Sequence, residues 1–145
     1  MSQCDCRKPI ITEKGPKAIG PYSVAIKAKH FIYTAGQIGL DPATGNLVSG
    51  GLEAETRQAL ENLKSILVAA DASLSDVIKT TVFLKDINDV GKMNVIYAEY
   101  FEEDPPARSA IQVVALPKNA MIEIEAVAFV CDCDKHEEKS GCCGK

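Results

Sequence analysis

The chain has 145 residues, a formal net charge of −4, 46% hydrophobic and 25% charged residues, and a pI near 5.2. These values describe one ordinary globular domain, long enough to bury a core, and exclude a fibrous or disordered chain. The acidic balance, without an aromatic-basic platform, argues against nucleic acid as the main partner, and no apolar run has the length of a signal peptide or a bilayer span, so no membrane partner and a cytoplasmic location are expected.

In chain order, "YSVAIKA" at 22–28 alternates with period two and predicts a strand, and "HFIYTA" at 30–35 predicts its hairpin partner, with His30 in the turn. A loop rich in Gly, Pro and Asp follows over 36–51. Its "GNLVSGG" has the glycine spacing of a phosphate loop but lacks the Lys and Ser/Thr that would engage phosphate and magnesium. From Leu52 to Ala70 the apolar residues fall at helical spacing, with Glu53 four residues before Arg57 on the outer side. "VIKTTVFL" at 77–84 has the β-branched content of a strand. A second helix is predicted over 89–103, with Val90, Met93, Tyr97, Tyr100 and Phe101 on one face and Pro105 and Pro106 behind it. Two strands at 108–115 and 121–130, joined by "LPKNA", complete a ββαβαββ α+β domain. The last strand is wholly apolar on one face, through Ile122, Ile124, Ala126, Ala128 and Val130, and apolar over much of the other. Two helices cover one side of a small sheet, so the other is expected to close against further copies of the chain.

All six cysteines lie near the ends: Cys4 and Cys6, then Cys131, Cys133, Cys142 and Cys143. Residues 1–130 are thus expected to form the single domain and 131–145 a Cys-rich flexible tail. Three disulfides would need an oxidising compartment, and Cys-x-Cys beside His136 is not the usual zinc-ribbon spacing, so an exposed, oxidisable thiol tail is the expectation and no metal site is assigned.

Charged residues are among the least often buried, yet Arg108, Glu123 and Glu125 stand in strand-like apolar runs. Period two places Glu123 and Glu125 on one face, and the short "LPKNA" link is expected to fold them back near Arg108. Two readings stay open on spacing alone. One is a paired ion cluster at a subunit interface. The other is an anion pocket, in which a guanidinium fork grips a carboxylate and a glutamate acts as general base toward water.

"AIGPYS" at 18–23, "AGQIG" at 35–39, "DPATG" at 41–45, "VIKTTVFLKDINDV" at 77–90, "PARS" at 106–109 and "LPKNAMIEIEAVA" at 116–128 together resemble the RidA family, also called the YjgF family, of imine deaminases. The resemblance spans roughly residues 10–130 and is closest to animal members. It implies a chorismate-mutase-like fold, a homotrimer with active sites between subunits, and cofactor-free hydrolysis of small 2-imino acids, 2-iminobutanoate or 2-iminopropanoate, to 2-keto acids and ammonia. Carried over by motif, Arg108 would grip the substrate carboxylate, and Lys would lose its planar fork. Glu123 would hold and activate the water, and Tyr22 would line the pocket. Gly36 and Ala110 would offer backbone groups, and Asn94 would stand near the cleft. Glu125 reads as a structural partner rather than a catalyst. Ala35 stands where the family often has Ser, Ala110 where it often has Cys, and Pro106 where it often has Phe. Ala35 therefore removes a hydroxyl from the substrate's reach. Two rival classes carry their own discriminators: a translation-inhibiting, endoribonuclease-like activity would bring salt-dependent RNA binding, and a non-catalytic, oxidation-responsive chaperone-like module would bind metabolites without turnover.

Overall fold

The computed structural model describes residues 6–131. Six strands form one mixed sheet: β1 (Lys8–Ile10), β2 (Ala25–Ala28), β3 (Phe31–Thr34), β4 (Val77–Leu84), β5 (Ala107–Gln112) and β6 (Ile122–Phe129). The helices are α1 (Gly51–Ala69) and α2 (Val90–Tyr100). In space the order is β1-β2-β3-β6-β4-β5, antiparallel throughout except for the β4–β5 pair, which α2 connects as a parallel crossover. This is the expected α+β domain with one strand added at its amino-terminal edge. β1 is three residues long, includes a proline, and has no periodicity of its own; pairing with β2 makes it a strand.

Two expectations about the second half are corrected. The 108–115 and 121–130 strands do not form a hairpin, because β4 lies between them and pairs with both. The second helix ends at Tyr100, three residues early: Phe101 leaves helical geometry (φ −126, ψ 65) and Asp104 is left-handed (φ 47) ahead of the prolines. The link between Glu53 and Arg57 is also replaced. Arg57 reaches across to α2, donating to Glu99 through Nη1 (2.6 Å) and Nη2 (3.2 Å), where the guanidinium holds the Glu99 carboxyl below its ordinary value.

The core lies between the helices and one sheet face. Leu60, Leu63, Ile66 and Leu67 of α1 meet Ile32, Val82, Leu84, Ile122 and Ile124 of the sheet, and none of these retains solvent exposure. Each such side chain contributes about 1.5–3 kcal/mol on burial. The start of α1 depends on paired glycines: Gly50 (φ 116) and Gly51 (φ 72) are both left-handed, and a Cβ on Gly50 would meet the Ala54 Cβ at 2.9 Å. The opposite sheet face carries Phe31, Tyr33, Ile111 and Phe129, between 37% and 50% exposed, and no helix covers it.

The two ends of the described region meet at one place. The Cys6 carbonyl accepts from Lys29 N, and Val130 N donates to the His30 carbonyl, so both flank the β2–β3 turn in which His30 sits, as expected. Cys6 and Cys131 are each disulfide-bonded, which corrects the free-thiol expectation for these two residues. Cys4, Cys133, His136, Cys142 and Cys143, with the tail expected over 131–145 beyond its first residue, lie outside the described residues. Among the described residues no group of three or more His, Cys, Asp and Glu side chains could hold a metal ion, and no helix is long and apolar enough to cross a membrane.

Candidate active site

Sheet register sorts the charged residues. Arg108 pairs with Thr80, which pairs with Ala126, so Arg108 shares the helix-covered face with that row. Glu123 pairs with Phe83 and Glu125 with Thr81, on the uncovered face. Within one chain the guanidinium and the two carboxylates therefore lie on opposite sides of the sheet, and the expected convergence does not occur. The backward fold predicted through "LPKNA" would have needed β5 beside β6.

Arg108 occupies the edge strand, half-buried. Its Cζ stands 4.8 Å from the centre of the Tyr97 ring, and Nη1 lies 4.0 Å from Met93 Sδ. The Tyr97 hydroxyl shares a 2.7 Å hydrogen bond with Thr80 Oγ1, which fixes the ring beneath the guanidinium. Burial raises the Tyr97 pKa, with the Thr80 hydrogen bond and the Arg108 charge opposing, so the phenol stays neutral. Among the described residues no carboxylate pairs with Arg108; its fork is presented rather than spent.

Glu123 faces a cavity of about 260 Å³ lined chiefly by apolar groups, including Ile19, Tyr22, Val24, Ala35, Gly36 and Ile38. Three of the residues singled out from sequence, Tyr22, Gly36 and Glu123, thus converge, and Ala35 is in the same wall. Arg108, Ala110 and Asn94 lie outside it: Ala110 packs its methyl against the core from β5, and Asn94 is exposed on α2.

The contact between Gly36 and Glu123 is close. A Cβ at position 36 would fall 1.8 Å from Glu123 Oε1 and 2.7 Å from its carboxyl carbon, so only glycine admits the carboxylate here. The wall is fixed to β6 by Gln37, whose N donates to the Ile124 carbonyl (2.8 Å) and whose carbonyl accepts from Ile124 N (2.9 Å). Tyr22 turns back on its own loop, its hydroxyl accepting from Ile19 N at 3.3 Å. Burial against these groups raises the Glu123 pKa, and the Glu125 charge raises it further. A carboxylate poorly hydrated and beside a like charge is a stronger base than one in water, and it has space in front of it for a water and a small molecule.

Sequence reasoning missed Lys17 and Gln37, which also line the cavity. Lys17 sits in a stretch without periodicity. Gln37 acts through its backbone, which no side-chain pattern reveals; the adjacent glycines in "AGQIG" were the only local signal.

Comparison with known proteins identifies the family. The family model described as Endoribonuclease L-PSP matches residues 12–130. A RutC family protein of Pyrococcus horikoshii is 60% identical over 120 residues, 83% of this chain and 95% of its own. The human protein named 2-iminobutanoate/2-iminopropanoate deaminase is 55% identical over 123 residues, 85% of this chain and 90% of its own. Among solved structures, RidA from the Antarctic bacterium Psychrobacter superposes with a TM-score of 0.82 at 41% identity, covering 85% of this chain and 99% of that one. E. coli TdcF with bound serine gives 0.82 at 40% identity, covering 86% and 99%. Fold, family model and identity agree, and the chain belongs to the Endoribonuclease L-PSP family, the RidA or YjgF family.

Proposed function

We propose that the chain is a cofactor-independent 2-iminobutanoate/2-iminopropanoate deaminase, a cytoplasmic homotrimer with sites between subunits. The observation that carries this reading is the Glu123 carboxyl, made more basic by burial and by Glu125, facing a small apolar cavity beside Gly36 and Tyr22. The mammalian relatives named as deaminases support the substrate class, as does the serine, a small α-amino acid, bound to E. coli TdcF.

The placement of Arg108 supports a site shared between chains. A guanidinium on the helix-covered face cannot reach a substrate in front of its own chain's Glu123, whereas a neighbour packed on the uncovered face can supply its own. In the proposed reaction the neighbour's Arg108 grips the substrate carboxylate bidentately. Glu123 accepts a proton from water as the water oxygen bonds to the imine carbon and the C=N π electrons move to nitrogen. The nitrogen takes that proton to give the neutral carbinolamine; Glu123 then passes the hydroxyl proton to the same nitrogen, and the C–N bond breaks to release ammonia as the keto group forms. The apolar lining accommodates a methyl or ethyl side chain, and holding water and imine together supplies the rate gain.

The test is keto-acid release while a threonine dehydratase generates 2-iminobutanoate. The parent protein should accelerate release, and Arg108→Ala should lose the acceleration while keeping its oligomeric state. A well-folded parent that does not accelerate release would overturn the deaminase.

A further inference from the structure

Two buried polar side chains of α1 do not line the cavity and yet hold its walls. Asn62 is 1% exposed and Glu55 6%. Asn62 Nδ2 donates to the Ile38 carbonyl at 3.1 Å and to the Leu40 carbonyl at 2.8 Å. Gln58 Nε2 donates to Asn62 Oδ1 at 2.9 Å and so sets which way the amide faces. Glu55 Oε2 accepts from Met121 N at 2.7 Å. The first pair of bonds reaches the wall that runs from Gly36 to Leu40. The last reaches the opposite wall, between Pro117, which lines the cavity, and Glu123, two residues beyond Met121.

Resting on the deaminase reading, we infer that Asn62 and Glu55 are positioning residues: one helix clamps both walls of the cavity and thereby sets how tightly Gly36 closes over the Glu123 carboxylate. Filling the core does not require them. An apolar side chain at 62 would pack as well but leave the Leu40 carbonyl without its donor and the Ile38 carbonyl with Leu40 N alone. What they hold is irregular backbone: beyond the Gln37–Ile124 pairing, Ile38 to Leu40 have no strand partner in β6, and the loop's own bonds, Leu40 N to the Ile38 carbonyl and Val48 N to the Gly39 carbonyl, leave the Leu40 carbonyl to the Asn62 amide. At Gly39 the wall rests directly on the helix, where a Cβ would meet the Glu55 Cα at 2.7 Å, so a shift of the wall is transmitted without slack. At the other end the same wall leaves no room for a methyl group against the carboxylate. A displacement of about 1 Å at such a site can cost on the order of 100-fold in rate.

The test separates positioning from mere stability. Asn62→Leu removes both donors and adds no charge; Gln58→Met leaves Asn62 in place and removes only what orients it. Leu63→Val, in the same helix and wholly within the core, is the matched destabilised control. The primary readout is the titration of the Glu123 carboxyl carbon by NMR, which requires no turnover. Its charged surroundings are Glu125 on β6, Lys79 and Lys85 on the same face of β4 and its continuation, and Lys17 on the amino-terminal wall, and none of these is altered. Both test variants should shift the titration toward the ordinary glutamate range, Asn62→Leu more strongly, with kcat falling about 10- to 100-fold and KM changing less. Leu63→Val should lower the melting temperature and leave the titration unchanged. If Asn62→Leu does not fold, Gln58→Met decides alone. An unchanged titration, with activity following the melting temperature as in Leu63→Val, would overturn the clamp. A titration that moves in the variants of a parent that itself releases no keto acid would uphold the clamp and overturn the deaminase.

Discussion

The two faces of one sheet differ sharply. On the helix-covered face Ile32, Val82, Ile122 and Ile124 are completely buried; one residue along the same strands, Phe31, Tyr33 and Phe129 remain 37%, 50% and 41% exposed. The covered face is largely aliphatic, the open one mixes aromatic side chains with Lys79, Glu123 and Glu125, and the helices lie over the first alone. The covered face is finished within one chain, whereas the open face leaves apolar surface exposed beside the Glu123 carboxyl, with the Arg108 guanidinium on the other side of the sheet. A covered face stabilises, and in the proposed enzyme the open one closes against another copy.

The strongest way to break this division is on the open side alone. Gly36→Ala places a methyl where Glu123 Oε1 stands, and the flexible carboxylate yields more readily than the backbone. Turnover should fall by at least about 100-fold, as expected for a misplaced reacting group, while circular dichroism and melting stay near the parent's. A large loss of melting temperature instead would mean that the wall, not the carboxylate, had moved.

Mixing chains sharpens the comparison further. Arg108→Ala and Glu123→Gln should each be inactive alone, but co-refolded in equal amounts they should recover about a quarter of the sites if each site takes one residue from each of two neighbours. No recovery would place both residues' roles within one chain, against the register of the sheet. Glu123→Gln should also melt at a higher temperature than the parent at pH 7. A carboxyl whose folded pKa is raised favours the native state below the unfolded value and loses that contribution as pH rises through the folded one, so replacing it relieves a cost present at neutrality.

On the covered side, Tyr97→Phe removes the hydroxyl bonded to Thr80 Oγ1 in a buried setting. Chemical denaturation should register a loss of about 1–3 kcal/mol, the cost of leaving a buried group unsatisfied, with cation–π support of Arg108 retained and activity changed little. The smallest effect is expected from Glu125→Gln. Removing the like charge lowers the Glu123 pKa, so the acid limb of the rate profile should move to lower pH, and by less than burial contributes, since burial is the larger cause.

Elements with their own periodicity are legible from the residues. The predicted bounds of α1 and β6 fall within a residue of those observed at each end, and those of β4 coincide with them, because their apolar spacing states the structure locally. β1 is not legible, since three residues with a proline carry no pattern and depend on the Ile10–Ala25 register for their existence. The position of β5 escapes for a related reason: a five-residue link suggests a hairpin, while the pairing of Thr80 with Arg108 puts that strand on the far side of β4. Within the site, Glu123, Gly36 and Tyr22 can be named from the family's motifs. Asn62 and Glu55 cannot, because on a helical wheel they are polar residues among apolar neighbours, and only the backbone groups they hold explain them.

The strand that comes last in chain order is central in the sheet. β6 lies between β3 and β4, so the amino-terminal meander and the β4–β5 pair share no strand pairing until Ile122–Phe129 joins them. During synthesis on the ribosome both halves must therefore wait, each with an unpaired edge exposed, until Phe129 has emerged. Folding of this kind depends on contacts between distant residues, which makes it slow and the waiting edges vulnerable to association with the wrong neighbour.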